Sequence, residues 1–181
     1  MASRPQWQHR DYGDGTRPIF NETTYEPGIR WLLETCQSIE DWGCGMAWAR
    51  RHVPEGRYKG IDGSPAAGPF ADVICDLRDY KPDPAPDGIF MRHILEHNED
   101  WPVILGNVMN SFRKRFVLVG FTPWSEGETR RLDGGGLIDL SFRKEDITGF
   151  FEGCSWRDES LLMPESQYGV NHTFFVERHA A

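Results

Sequence analysis

Apolar residues along the chain follow two alternating spacings. Ile29, Leu32, Leu33 and Cys36 recur at i, i+3, i+4 and i+7, the period of one buried helix face. Ser38 to Trp42 then reads as a strand, followed by a glycine turn and a helix that buries Met46, Ala49 and Val53 and ends at Gly56. Tyr58 to Asp62 and Ala71 to Cys75 are two further strands, the first closed by Gly63-Ser64-Pro65. Pro82, Pro84 and Pro86 make the next connection non-helical. Gly88 to His93 is a fourth strand. Asp100 and Pro102 mark a helix start, with Trp101, Leu105, Val108 and Phe112 on the buried face. Phe116 to Phe121 is an unbroken apolar run, as expected of a strand covered on both faces. Residues 122–142 are polar and rich in Gly and Arg. They are predicted to be a loop beyond a strand's C-terminal end, a usual place for functional groups. Lys144 to Phe151 reads as a helix, and Trp156 to Met163 and Val170 to Glu177 as a closing pair of strands.

Strands alternating with helices imply a parallel sheet with right-handed crossovers. The last two strands have only a short link, so at least one is antiparallel. The expected fold is α/β: a doubly wound, mostly parallel, seven-stranded Rossmann-like sheet with one antiparallel strand near the C-terminus. Residues 1–24 lack periodicity and are expected to form an irregular N-terminal arm, ordered by packing of Trp7, Tyr12 and Phe20. Residues 25–181 are expected to form a single domain. In such sheets ligands sit beyond the C-terminal strand ends, at the switch point.

Composition narrows the partners. The 181 residues are 39% hydrophobic and 27% charged, as in an ordinary globular domain, and the formal net charge is −8. That balance argues against a broad basic surface for nucleic acid, although Arg113-Lys114-Arg115 could form a local patch. No apolar run approaches the roughly 18 residues of a membrane span. Met1 to Arg10 is polar, without a signal-peptide core. The four cysteines contain no CxxC pair, which speaks against a zinc knuckle or redox motif and for reduced thiols in a cytoplasmic protein.

The chemistry concentrates at Ile39-Glu40-Asp41-Trp42-Gly43-Cys44-Gly45-Met46-Ala47. A strand runs through an acid into a tight glycine turn, which lets backbone N–H groups approach a nucleotide-like ligand. Asp62 and Asp76 end the next two strands. Three acids at successive strand ends suit an adenosine-containing cofactor. Trp48 stands where a dinucleotide fingerprint has its third small residue, and Asp41 stands where that fingerprint is apolar. Both departures count against NAD.

The pattern instead resembles class I S-adenosylmethionine-dependent methyltransferases. Asp41, Gly43, Gly45 and Ala47 match their D-x-G-x-G-x-G/A motif. Gly60-Ile61-Asp62 is similar to their second-strand end, and Arg92-His93-Ile94-Leu95-Glu96-His97 to their H-x-L-E-H segment. The resemblance covers residues 29–121 and makes 25–181 a methyltransferase-like domain with S-adenosyl-L-methionine as cofactor. It implies that Asp62, beside Gly63, binds the ribose hydroxyls. It implies that Asp41, Gly43 and Gly45 meet the amino-acid part, and Asp76 and Leu77 the adenine. His93 is expected at the cofactor's methionine end.

A helical turn would gather His93, Glu96 and His97 on one face. They could line the pocket, or His97 or His93 could serve as general base on an acceptor hydroxyl. Other readings are a divalent metal held by Glu96 and His97, or simple packing around the turn; no metal site is assigned. Trp124, Arg130 and Arg131 are candidate substrate residues, with Glu126, Asp133 and Tyr168 nearby in sequence or at the same end of the sheet. Aromatic and charged residues together suit a polar small molecule or glycan acceptor, methylated on oxygen by direct displacement. The alternatives are a protein or RNA-end methyltransferase, and a non-catalytic domain that binds the cofactor or a partner.

Overall fold

The computed structural model describes residues 22–132, 138–164 and 166–179. Trp7, Tyr12 and Phe20 of the expected arm, and Asp133, lie outside them. Among the described residues there are nine strands: β1 (Ile39–Trp42), β2 (Tyr58–Asp62), β3 (Val73–Ile74), β4 (Gly88–Arg92), β5 (Arg115–Gly120), β6 (Arg130–Leu132), β7 (Asp139–Ser141), β8 (Cys154–Leu162) and β9 (Val170–Arg178). Seven form one sheet in the order β3-β2-β1-β4-β5-β9-β8. The pairs from β3 to β5 are parallel, and β9 runs antiparallel to both its neighbours. The expected doubly wound sheet with one antiparallel strand is therefore observed.

Alternation of side chains across the pleat divides the core in two. Along β5, Phe116 and Leu118 join one cluster with Ile89, Met91, Leu105 and Phe174; Val117 and Val119 join the other with Ile29, Leu32, Phe90 and Phe175. This is why Phe116 to Val119, the heart of β5, is apolar without a break. Helix α1 (Glu26–Leu33) covers the second cluster, and α2 (Trp101–Met109) and α3 (Lys144–Thr148) cover the first. Register carries the layers into the site. Trp42 pairs with Ile61 on one side and Met91 on the other, so the C-terminal ends of β1, β2 and β4 lie level.

Three sequence-based expectations are corrected. The helix after Gly45 is only a five-residue 3-10 turn, Trp48–His52. Gly43, Gly45 and Ala47 all have positive φ (81°, 53° and 53°), and Pro54 follows closely, so no α-helix can start at the glycines or extend far. Ala49 and Val53 are buried as expected, but Met46 is only half-buried. Strand β3 has two residues rather than five. The 122–142 segment contains a hairpin, β6 with β7, instead of loop alone. Thr122 Oγ1 donates to the Leu140 carbonyl at 2.8 Å and Ser141 Oγ to the Pro123 carbonyl at 2.7 Å, fastening the segment beside the end of β5. Among the described residues, no helix is long and apolar enough to cross a membrane.

Phe90 is fully buried between α1 and the sheet. Phe90→Ala should lower stability by about 3–5 kcal/mol, read as a lower urea midpoint with unchanged m-value. A loss under 1 kcal/mol would show that α1 is not held by this layer.

Candidate active site

A cleft, about 450 Å³ with its open mouth included, lies at the C-terminal ends of β1, β2 and β4. Gly43, Asp62, Gly63, Asp76, Leu77, His93 and His97 all line it. Asp41 and Gly45 stand behind this lining. Ile94, Asn98 and Ile104 also face the cleft and escaped the sequence reading. Ile94 is the informative omission. A Cβ on Gly43 would run into its side chain, and the φ of 81° independently favours glycine there.

Asp62 is buried at the end of β2. Its Oδ2 accepts the Gly45 N–H at 2.8 Å and its Oδ1 the Ser64 N–H at 2.7 Å. The carboxylate thus ties the glycine turn to the β2 end while facing the cleft. Asp76 is gripped by Arg78, whose guanidinium and N–H donate four bonds to it at 2.7–3.1 Å. Those bonds hold its carboxyl below the usual range.

Asp41 lies inside β1, where alternation sends its side chain to the α1 face of the sheet rather than into the cleft. The Tyr58 hydroxyl donates to its Oδ2 at 2.7 Å. Burial pushes its pKa up to about 7 against that hydrogen bond, with the nearby Asp62 charge adding to the rise. Direct contact with a ligand in the cleft would need a bridge across the turn.

The segment after β4 forms a tight turn over the cleft. His93 adopts a left-handed conformation, φ 56°, a costly one for a non-glycine residue. Its Nε2 meets Asn171 Oδ1 at 3.0 Å. His97 Nδ1 lies 2.9 Å from the Ile138 carbonyl and 3.1 Å from Asp139 Oδ1, both presented by the hairpin. Burial disfavours the imidazolium of His97, but these two acceptors outweigh it and its pKa is raised. Asp139 in turn accepts the Tyr168 hydroxyl at 2.8 Å and the Gln167 amide at 3.2 Å. Phe121 packs against both histidine rings and Tyr168. Glu96 points the other way, into the core, so the two histidines and Glu96 are not gathered on one face. Among the described residues, no group of three His, Cys, Asp or Glu is arranged to hold a metal ion.

The expected substrate residues are dispersed. Trp124 stacks on His172 (centroids 4.3 Å) and lines a separate small cavity with Glu96, Phe142 and Phe174. Arg130 and Arg131 are exposed on β6, and Arg131 pairs with Glu99. Glu126 is exposed too. Tyr168 reaches the His97 cluster. Asp139 was missed, although Ile138-Asp139-Leu140-Ser141-Phe142 alternates apolar and polar residues as a strand does.

The seven-stranded sheet with its antiparallel β9 is a class I methyltransferase fold, shared with solved S-adenosylmethionine-dependent methyltransferases. The chain is similar to magnesium protoporphyrin IX methyltransferase from Synechocystis PCC 6803 with bound SAH: TM-score 0.63, 16% identity, covering 93% of this chain and 91% of that one. It is also similar to the Burkholderia thailandensis 1,6-didemethyltoxoflavin-N1-methyltransferase (TM-score 0.63, 17% identity, 89% and 80% covered). A third is the SAM-bound amino pentose methyltransferase of Micromonospora echinaspora (TM-score 0.59, 13% identity, 84% and 89% covered). No protein-family model matches the sequence, and no curated protein matches it.

The raised pKa of Asp41 makes a stability prediction. An unfolded aspartate titrates near 3.9. Between about pH 4 and pH 7 the unfolded chain releases this proton while the folded chain keeps it. Stability therefore falls as pH rises through that window, by on the order of a few kcal/mol. Asp41→Asn should flatten the dependence, making the variant less sensitive than the native chain between pH 5 and pH 8 in urea titrations. Identical slopes would show that Asp41 is already ionised at pH 5.

Proposed function

We propose that this protein is an S-adenosylmethionine-dependent methyltransferase that methylates a hydroxyl oxygen of a small-molecule or sugar acceptor by direct displacement. The observation that carries the reading is Asp62. It is a buried carboxylate anchored by the Gly45 and Ser64 N–H groups at the wall of the cleft formed by the glycine turn. Two donors from a ribose diol are a natural complement to such a group. The similar structures were crystallised with SAM or SAH bound, which supports the same cofactor here.

The residues fit that group. Asp62 would hold the ribose, with Gly63 beside it. Gly43, under Ile94, would let the backbone approach the methionine portion, and His93 lines the same end. Asp41 acts from behind the turn. Leu77 supplies an apolar wall for the base, while Asp76, already engaged by Arg78, would share an acceptor site with it. Bound there, the sulfonium supplies an electrophilic methyl group. An acceptor oxygen would take that methyl by displacement, the C–S bonding pair staying on sulfur. His97 Nε2 takes the hydroxyl proton. Much of the rate comes from orientation of the reacting atoms. Acceptors named among the similar structures include 1,6-didemethyltoxoflavin and an amino pentose, which supports a small-molecule or sugar acceptor here. The four cysteines are free thiols, which accords with a cytoplasmic setting.

Calorimetry with S-adenosylmethionine tests this reading. Binding is expected, and Asp62→Ala should weaken it by about 1.5–3 kcal/mol through loss of a charged hydrogen-bonding group. Absence of binding at millimolar cofactor would sink the reading, and unchanged affinity in the variant would remove the ribose role of Asp62.

A further inference from the structure

His97 and Asp139 come from distant parts of the chain, and the hairpin exists in a form that brings them together. Residue 97 sits on the turn after β4, whereas Asp139 opens β7. Ser125 N–H bonds the Phe142 carbonyl at 2.7 Å, and Thr122 and Ser141 add the side-chain bonds described above, so β7 is fastened against the β5 end. The Nδ1 atom of His97 then meets two acceptors, the Ile138 carbonyl and Asp139 Oδ1. Acceptors on that side require a proton on Nδ1. The neutral ring must then carry its lone pair on Nε2, and the ring lines the cleft.

We propose that Asp139 is the positioning residue of the site, fixing His97 in the Nδ1–H tautomer so that Nε2 accepts a proton from an acceptor hydroxyl in the cleft. The proposal deepens the methyltransferase reading and rests on it for the identity of the reaction. It also narrows the acceptor class. A base held this way serves a neutral hydroxyl, whose proton must leave as the oxygen is methylated; an amine that is already nucleophilic would not need it. The proton passes to Nε2, and the resulting imidazolium is stabilised by the Asp139 carboxylate. Tyr168 and Gln167 act one step further out, since both donate to Asp139 Oδ2 and leave Oδ1 for the histidine.

The ionisable groups around His97 are Glu96 on its own turn, Asp139 on β7, Tyr168 through Asp139, His93 beyond Phe121, and Asp62 and Asp76 along the same cleft. Burial opposes the charged ring, and Asp139 is the largest influence in the other direction. Asp139→Asn and Tyr168→Phe should therefore move His97 oppositely. Removing the carboxylate lowers its pKa. Removing the Tyr168 donor leaves Asp139 a stronger acceptor and raises it.

Long-range ¹H–¹⁵N spectra of the whole chain, titrated with pH, read both tautomer and pKa without any activity. The Nδ1–H tautomer is expected in the native protein, with a pKa above the ordinary 6.5 or so. A downward shift is expected in Asp139→Asn and an upward one in Tyr168→Phe. An Nε2–H tautomer, or the same shift in both variants, would overturn the proposal. If Asp139→Asn fails to fold, Tyr168→Phe alone decides by the sign of its shift. With an acceptor in hand, Asp139→Asn should lower kcat about 10²-fold or more, with KM little changed and the acidic limb moved to lower pH. An unaltered pH profile would count against the role. A chain that binds no S-adenosylmethionine yet gives the expected spectra would instead refute the methyltransferase reading and leave the dyad standing.

Discussion

The site depends on one buried bond. Glu96, only 1% exposed, sends its Oε1 to the Phe121 N–H at 2.7 Å and so ties the turn after β4 to the end of β5. Gly120 makes room for it, since a Cβ there would stand 3.0 Å from the same oxygen. Burial raises the pKa of this acid, against the favourable pull of the Phe121 N–H and the neighbouring His97. A side chain that is expensive to bury is therefore placed at the junction of two central strands. Its effect is geometric: with residue 96 turned inward, residues 93 and 97 turn outward over the cleft, and Phe121 is delivered between their rings. Loss of the anchor would release both histidines together.

The glycine turn shows a second constraint of the same kind. In many nucleotide sites a helix N-terminus supplies the N–H groups. Here Gly43, Gly45 and Ala47 alternate into the left-handed region, and only a 3-10 turn follows. The main chain is organised by Asp62 instead, through the Gly45 and Ser64 N–H groups. One carboxylate therefore shapes the turn and faces the cleft, so its removal would cost turn geometry as well as a ligand contact.

The sheet was legible because its cause is local. In β5, Phe116 to Val119 read as four residues buried on alternating sides, and α1 and α2 show their buried faces in the spacing of Ile29, Leu32, Trp101, Leu105 and Val108. The cleft lining was legible for Gly43, Asp62, Asp76 and His93, which all end strands or begin the turns after them. What escaped depends on long-range contacts. Trp124 was drawn into the packing of His172 and Phe174 on β9 rather than into the cleft. Asp41 has the right spacing, but strand alternation points it behind the turn. Asp139 was hidden because glycines and arginines dominate the composition of residues 122–142, while the period-two pattern at Ile138–Phe142 is short. Nothing local in the sequence relates it to His97; only the Thr122 and Ser141 bonds of the folded hairpin do.

The acids of the cleft differ in what balances them, and that bears on the charge of the ligand. Asp76 shares its charge with Arg78, and Asp139 with His97. The Gly45 and Ser64 N–H groups hold Asp62 at the cleft wall. Asp41, poised near neutrality, can supply a second negative charge when a cation approaches and its proton leaves. At an effective dielectric constant of about 20, a unit charge a few ångströms away contributes on the order of a few kcal/mol to a cation, and Asp41, set behind the turn, contributes less. On the proposed reading, the positively charged sulfonium donor gains this attraction. After methyl transfer the thioether product has lost that positive charge and with it the extra attraction. A cleft built this way favours entry of the donor over retention of the spent cofactor, and it does so with carboxylates whose main local task is to shape the backbone around it.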